Sequence, residues 1–417
     1  MDNKSVALET IKKKLLGKEL SYKEIFTLMD EISHGRMGDI LTTYFVAAGF
    51  KEGFTDEELF FVTKAMIKTG TELHFDGIIA DKHSIGGVAG TRTTMIVVPI
   101  VATAGFKIPK TSSRAITSPA GTADVMETIA PVVFEAKKIE SIVNKTGGCI
   151  IWGGHLGIAP ADDIMIRVEE PLSFESFDKV IVSIMAKKVA AGTNHLVLDI
   201  PVGPTMKIKH FKDATAVCDK FKMICDRFKI KVAFNIENTN QPEGTGVGPA
   251  LEARDVFKVL EQTPDRSVAL EERAIKLAGT LLDLCYETAG IEKDGFEESE
   301  KILRSGQAKD KFYEIVKAQG GDVSLNSKNI IDESKIKKHI IRSDKNGEIF
   351  KVNNFNLNAI AKILGAPKDK YAGIDFKKRI GQKVKKNEEL CIFYASDKAE
   401  LAEGVESLKG LPIFEIK

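Results

Sequence analysis

At 417 residues, 43% hydrophobic and 29% charged, the chain is long enough for two or three domains, each with an apolar core. Its 60 basic and 59 acidic residues give a formal net charge of +1. That balance lacks the basic excess of a dedicated nucleic-acid binder but leaves room for small anionic ligands, which need only a few amides and cations. The five cysteines (Cys149, Cys218, Cys225, Cys285 and Cys391) are widely spaced with no CxxC, which argues against a disulfide framework or a zinc site. The N-terminus has no signal-peptide apolar region, and the longest apolar run, 95–104, is too short to span a bilayer. A reducing, cytoplasmic location and no membrane association are expected.

In chain order, residues 4–69 read as helical, with Leu8, Ile11, Leu15 and then Ile25, Leu28, Met29, Ile32 at helical spacing. Ser21 with Glu24 and Thr55 with Glu58 read as capping boxes. From about residue 74 short β-prone runs alternate with helices. The run 77–80 ends in a polar loop, 94–104 is a helix kinked at Pro99, and 107–112 is a strand. A helix is predicted over 122–129, strands over 149–152, 196–200 and 231–235, and helices over 211–228 and 250–262. This alternation predicts an α/β domain with a mainly parallel sheet. Residues 157–193 return to helix and belong with the first helical part if the two pack together. From about Val323 short β-prone runs (340–341, 348–352, 390–394) lie between Lys- and Asp-rich turns and predict a C-terminal α+β domain. The expected division is 1–70 helical, 71–156 α/β, 157–194 helical again, 195–322 α/β continued and 323–417 C-terminal. The fold class is thus α/β, with a small discontinuous all-helical domain and a C-terminal α+β domain.

The densest chemical signal is Asp81-Lys82-His83-Ser84-Ile85-Gly86-Gly87-Val88-Ala89-Gly90-Thr91-Arg92-Thr93-Thr94. It joins a strand to a helix, where open α/β sheets place ligands. Its glycines expose amides, while Lys82, Ser84 and Thr94 offer a cation and hydroxyls to an oxyanion. The loop is neither a Walker A motif nor a clean GxGxxG, and alone it is equally consistent with a tight polar turn. A second strand-to-helix segment, 111–124, is rich in hydroxyls and holds Arg114 and Gly121. Thr122 as an N-cap would explain one of these residues. Two such loops separated by one helix lie side by side in a parallel sheet, and together they favour phosphate. Further along come Arg167, Glu175, Ser183 and Lys187; the last two share a helix face. The ordinary reading of Lys187 and Lys188 is as solvated helix charges. The stretch 199–207 ends a strand in a rigid loop carrying Lys207, and 243–252 is another glycine-rich helix entry. Of seven histidines only His83 lies in a candidate site. With no HxxxH, HExxH or GxSxG, a metal site and a serine-hydrolase elbow are not expected. Trp152 reads as core.

At these residues the chain resembles a known family. Residues 81–88 resemble the phosphate loop of the thymidine and pyrimidine-nucleoside phosphorylases, and the domain order is similar over almost the whole chain. Residues 112–124 look like the AMP phosphorylase branch, as do 160–163 and 199–205. The resemblance implies phosphate contacts at Lys82, Ser84, Thr94, Ser112, Ser113 and Thr122. It implies nucleotide contacts at Gly87, Ser113, Arg114, Ala115, Ile116, Thr117, Ser118, Thr122, Ser183, Lys187 and Lys207. Arg167, Ser183 and Lys187 match the base-binding trio of the thymidine branch. The branch's acid, an aspartate, corresponds to Glu175. The implied catalytic set is Glu175, His83, Arg167 and Lys187. The chain begins at the helical region, without the extra N-terminal domain of the AMP enzymes, so a homodimer through the helical domain is expected.

The activity so implied is phosphorolysis of a nucleoside 5′-monophosphate, AMP plus phosphate giving adenine plus ribose 1,5-bisphosphate. No cofactor is expected, inorganic phosphate being a co-substrate, and neither nucleic acid nor membrane is an expected partner. The alternatives are a thymidine- or pyrimidine-nucleoside phosphorylase and an anthranilate-type phosphoribosyltransferase. The latter shares the fold and a similar second loop but would depend on pyrophosphate chemistry with magnesium. A nucleotide-sensing protein without catalysis is a further rival, against which Lys82, Arg167 and Lys187 argue.

Overall fold

The computed structural model describes residues 2–116, 118–154, 156–169 and 176–417. Four helices open the chain: α1 (Asn3–Leu15), α2 (Tyr22–Ser33), α3 (Gly38–Glu52) and α4 (Asp56–Lys68). Both expected capping boxes form, the Ser21 and Thr55 hydroxyls each accepting from the amide three residues on while Glu24 and Glu58 reach back. The apolar stripes of these helices, with Ile25, Leu28, Met29, Ile32 and Leu59 fully buried, face a common core.

The α/β part follows as β1 (Ala80–Ser84), α5 (Thr94–Thr103), β2 (Ile108–Ser112), α6 (Thr122–Met126), α7 (Ala136–Thr146) and β3 (Gly148–Trp152). Two helices, α8 (Pro160–Glu169) and α9 (Phe177–Ala190), then return to pack on α2, α3 and α4. The helical domain is therefore discontinuous in sequence. The chain re-enters the sheet through β4 (His195–Val202), α10 (Phe211–Arg227) and β5 (Lys231–Asn238). The short β6 (Gly246–Val247) precedes α11 (Pro249–Leu260), α12 (Val268–Ala289), α13 (Gly295–Arg304) and α14 (Gln307–Ala318).

Strand β1 pairs in parallel with β4, and β4 with β5; β2 pairs in parallel with β3. A parallel bridge between Ile79 and Lys107 joins the two groups, giving the order β3-β2-β1-β4-β5. Every residue of β4 is buried, as expected of a parallel strand covered on both faces. Leu196, Leu198 and Ile200 point into the core shared with the helical part, and Val197 into the opposite core with α5, α11 and α12. Helix α5 is apolar all round and buried from Thr94 to Ala102, so Pro99 lies deep inside this second core.

The C-terminal part comprises β7 (Lys337–Arg342), β8 (Gly347–Val352), α15 (Asn354–Ile363), β9 (Gly373–Phe376), β10 (Lys383–Val384), β11 (Glu389–Ala395), α16 (Lys398–Ser407) and β12 (Phe414–Ile416). Its antiparallel sheets run β6-β9-β11-β7 and β10-β8-β12. Strand β6 thus stitches the α/β part to this sheet, and Arg254 on α11 reinforces the seam by pairing with Asp375 at 2.7 Å. Among the described residues, no helix is long and apolar enough to cross a membrane.

Candidate active site

The first difference from sequence expectation is where β1 begins. The apolar run 77–80 was expected to be the strand and Asp81-Lys82-His83-Ser84 its loop; instead the polar residues form β1, in register with β4 from Ala80 opposite His195 to Ser84 opposite Asp199. A polar strand survives inside a sheet because its charges are paired. Asp81 is fully buried; Oδ1 accepts from Lys110 Nζ at 3.0 Å and Oδ2 from Lys188 Nζ at 2.5 Å. Burial opposes charge on Asp81, but the two ammonium groups outweigh it and hold its pKa below the usual carboxylate range.

Lys82, 2% exposed, donates to Thr93 Oγ1 at 2.9 Å and lies 3.9 Å from Asp199 Oδ2. Burial pushes its pKa down to about 8 despite Asp199, with Arg273 and Arg92 pushing the same way. Asp199 interrupts the apolar run of β4 and accepts from Ser84 Oγ at 2.9 Å, Arg273 Nη2 at 2.7 Å and Asn235 Nδ2 at 3.1 Å. Although burial works against it, Lys82 and Arg273 keep Asp199 ionised. His83 is half-buried; burial first, then Lys188, Lys110, Lys82 and Lys187, drives its pKa well below the ordinary histidine value. It is a neutral imidazole near pH 7, able to donate from one nitrogen and accept at the other.

The first loop, after Ser84, runs into α5 with Gly87 and Gly90 at positive φ (+59° and +63°). A Cβ on Gly90 would stand 2.7 Å from the Gly246 carbonyl oxygen, so a side chain there is excluded both by conformation and by space. Thr94 is the first residue of α5 and is buried. The second loop leaves β2 at Ser112, whose hydroxyl is taken by the Ile151 carbonyl at 2.7 Å. It returns at Gly121, and this glycine, not Thr122, is the N-cap of α6. The Asp124 side chain accepts from the Ala115 and Gly121 amides at 2.6 and 2.8 Å and so sets the loop's shape. Thr122 is freed from capping, and its Oγ1 accepts from Arg92 Nη1 at 2.9 Å.

Arg92 ties the two loops together. It also donates to the Ala120 carbonyl at 2.8 Å and to buried Glu252 Oε2 at 2.7 and 2.9 Å. Arg114 is turned onto α6, pairing with Glu127 at 2.8 Å and Asp124 at 3.1 Å while lying over the Trp152 ring. Trp152 is half-buried beneath it rather than wholly core. Ala115, Ile116 and Ser118 complete this loop, with Ile116 exposed and Ser118 Oγ donating to the Ala120 carbonyl. Lys207 is half-buried in the turn after β4, just before Ile208 bridges back to Val202.

On α9, Ser183 Oγ donates to Asp162 Oδ2 at 2.6 Å, and Lys187 reaches the same oxygen at 2.8 Å and Asp163 at 3.5 Å. Burial disfavours the Lys187 cation, but the two carboxylates more than offset this and raise its pKa. The expectation of solvated charges is therefore overturned for both lysines. Lys188 is 2% exposed and reaches Asp81 of β1, and Lys187 is drawn inward to Asp162, because α9 is packed against α4 and α10. Of the expected base-binding trio, Ser183 and Lys187 converge on Asp162 of α8, the helix that also carries Arg167. Arg167, four residues beyond Asp163 on α8, is largely exposed and pairs with Asp39 of α3 at 2.8 Å. Glu175 and Thr117 lie outside the described residues.

Sequence reasoning missed Arg92, Asp199 and Arg273 as site residues. Arg92 was visible inside the first loop, and Asp199 as a lone acid within an apolar strand; Arg273 lies mid-helix on α12 with no local signal. Among the described residues, no three His, Cys, Asp or Glu side chains cluster as metal ligands.

The comparisons agree with this architecture. The chain matches the models for the glycosyl transferase family helical bundle domain over residues 8–70, the glycosyl transferase family a/b domain over 76–309, and the pyrimidine nucleoside phosphorylase C-terminal domain over 349–411. It is 40% identical to AMP phosphorylase 1 of Archaeoglobus fulgidus, over 97% of this chain and 79% of that one. It is 41% identical to the AMP phosphorylase of Methanocaldococcus jannaschii over the same shares. A Legionella pneumophila (strain Corby) protein named "Putative thymidine phosphorylase" is 40% identical over 97% of this chain and 76% of its own. The anthranilate phosphoribosyltransferase of Thermus thermophilus shares the fold, with a TM-score of 0.60 at 15% identity over 75% of this chain and 99% of that chain. The chain belongs to the glycosyl transferase family whose members here include the AMP and thymidine phosphorylases, and it is an enzyme of the pentosyltransferase class.

Proposed function

We propose that the enzyme cleaves the N-glycosidic bond of a nucleoside 5′-monophosphate with inorganic phosphate, AMP giving adenine and ribose 1,5-bisphosphate. The observation that carries this reading is the pair of loops locked together by Arg92, beside a buried Lys82 whose nearest carboxylate is 3.9 Å away. Phosphate held there attacks C1′ from the face opposite the base, and the sugar acquires oxocarbenium character. Negative charge develops on the departing base, and Glu175 as acid, with Lys187 as a fixed cation, neutralises it. Neutral His83 stands beside Lys82 as a proton-bearing hydrogen-bond partner for the reacting oxygens. Lys207 and the 113–118 loop receive the 5′-phosphate. Holding both reactants removes much of the entropic barrier. No resident cofactor takes part.

We further propose a cytoplasmic homodimer formed through the helical domain. A nucleoside substrate is the second reading, favoured by the Legionella relative's name and by the longer side chain of Glu175 where an aspartate is expected. An anthranilate-type transferase is the third, favoured by fold likeness alone. Incubation with phosphate and a panel of nucleotides and nucleosides, assaying free base, separates them. Base from AMP is the expected result, and base from nucleosides alone moves the enzyme to the second reading. Base from no member, together with a magnesium and pyrophosphate requirement, supports the third.

A further inference from the structure

Asn354, Asn358 and Lys362 stand four residues apart on α15 and so share one helix face. That face runs along the ligand loops. Asn354 is buried; its Nδ2 donates to the carbonyls of Gly87 at 3.3 Å and Thr205 at 3.5 Å, and its Oδ1 accepts from the Ala89 amide at 3.3 Å. Its own amide donates to Thr205 Oγ1 at 3.4 Å. One side chain therefore holds the first loop and the turn leading to Lys207. Ala89 itself packs in the C-terminal core with Val247 and Leu357. Two turns on, Lys362 Nζ donates to the Ile116 carbonyl at 2.7 Å, in the second loop.

Between them Asn358 is 7% exposed, and its Oδ1 has no partner among the described residues. A buried amide oxygen left unmatched costs stability, and Asn358 stands between the two residues of this face that hold the loops. Helix initiation does not need this stripe, because Asn353 caps α15 by accepting from the amides of Phe355 and Asn356.

We propose that this face of α15 positions the substrate site. Asn354 sets the phosphate loop, Lys362 sets the 113–118 loop, and Asn358 accepts a hydrogen bond when both loops are occupied. The C-terminal domain is then part of the site. The inference rests on the proposed function only for the identity of the organic substrate.

The test uses the full chain with N354A, K362M, K362R and N358L. Titration of inorganic phosphate by calorimetry needs no turnover, so it stands even if the panel releases no base. Steady-state kinetics with AMP, or whichever panel member reacts, supply the rest. N354A is expected to weaken phosphate about tenfold, the order of one lost buried hydrogen-bonding side chain. K362M raises KM for the organic substrate by a similar factor while phosphate affinity stays within about twofold, and K362R recovers most of the loss. N358L raises Tm, because an unmatched amide is gone, yet lowers kcat. Equal effects of N354A and K362M on both substrates, or an N358L enzyme with undiminished kcat, would overturn the proposal.

Discussion

Asp199→Asn keeps the shape of the side chain and removes one negative charge from the centre of the proposed phosphate site. Asp199 Oδ2 lies 3.9 Å from Lys82 Nζ, and burial has already lowered the Lys82 pKa to about 8. Two unit charges about 4 Å apart interact by about 4 kcal/mol at an effective dielectric of 20. One pKa unit corresponds to about 1.4 kcal/mol, so the carboxylate supports the Lys82 cation by up to about three units. Lysine is cationic below its pKa, and phosphate needs the cation. In the native enzyme kcat/KM for phosphate therefore falls as pH rises through about 8. In D199N the same limb moves down by roughly one to three units, so phosphate use is already failing near neutrality. Arg273 keeps Glu243 at 3.1 Å but loses its partner at 2.7 Å. Breaking that buried pair costs about 3–5 kcal/mol, readable in urea unfolding. The assay is the pH profile of kcat/KM with saturating organic substrate, on protein whose circular dichroism matches the native spectrum. A folded D199N with an unmoved alkaline limb would refute the role given to Asp199 and, with it, the titration assigned to Lys82.

Arg92→Met releases Thr122 and the Ala120 carbonyl and leaves Glu252, whose pKa burial already raises, without its cation; a loss of about 3–5 kcal/mol in urea unfolding is expected. Phosphate KM should rise with it, and an R92M enzyme with native phosphate KM would show that the two loops hold their places without Arg92. Gly121→Ala brings a Cβ to 2.3 Å from the Ser113 carbonyl oxygen and 2.5 Å from the Arg114 carbonyl carbon. Backbone must shift, at about 1–3 kcal/mol, and kcat/KM should drop more than stability does, because the displaced segment is the second loop; unchanged kinetics would place that loop outside the site.

The sequence was most legible where local chemistry and tertiary role coincide. The capping boxes at Ser21 and Thr55 formed because their partners lie three residues away and nothing distant competes. Strand β4 was legible for the same reason, its burial on both faces being visible in its apolar residue types. Strand β1 was misread because its residues look like a loop until Lys110 and Lys188, 29 and 107 positions from Asp81, supply the countercharge. Lys187 and Lys188 were misread in the same way, since helical spacing says nothing about what the helix faces. Thr122 looked like an N-cap because its hydroxyl suits that role; Asp124 fixing the Gly121 amide moved the cap back one residue. Arg273 and Asn354 acquire their place only through packing between elements far apart in the chain, and no local pattern marks them.

The electrostatics of the site also explain why Lys82, among several buried lysines, is the one suited to an anion. Four lysines act on His83: Lys82, Lys110, Lys187 and Lys188. Three touch carboxylates, Lys110 and Lys188 sharing Asp81 at 3.0 and 2.5 Å and Lys187 reaching Asp162 at 2.8 Å. Lys82 instead donates to a threonine hydroxyl and stands 3.9 Å from a carboxylate that Arg273 holds at 2.7 Å. It has no carboxylate at contact distance, unlike the other three, and it lies where the glycine loop exposes amides and α5 begins. A bound phosphate would supply the missing countercharge and push the Lys82 pKa back up. Ligand binding and lysine protonation are then linked, and the alkaline limb seen in kcat/KM should recede to higher pH in kcat, which reports the loaded enzyme.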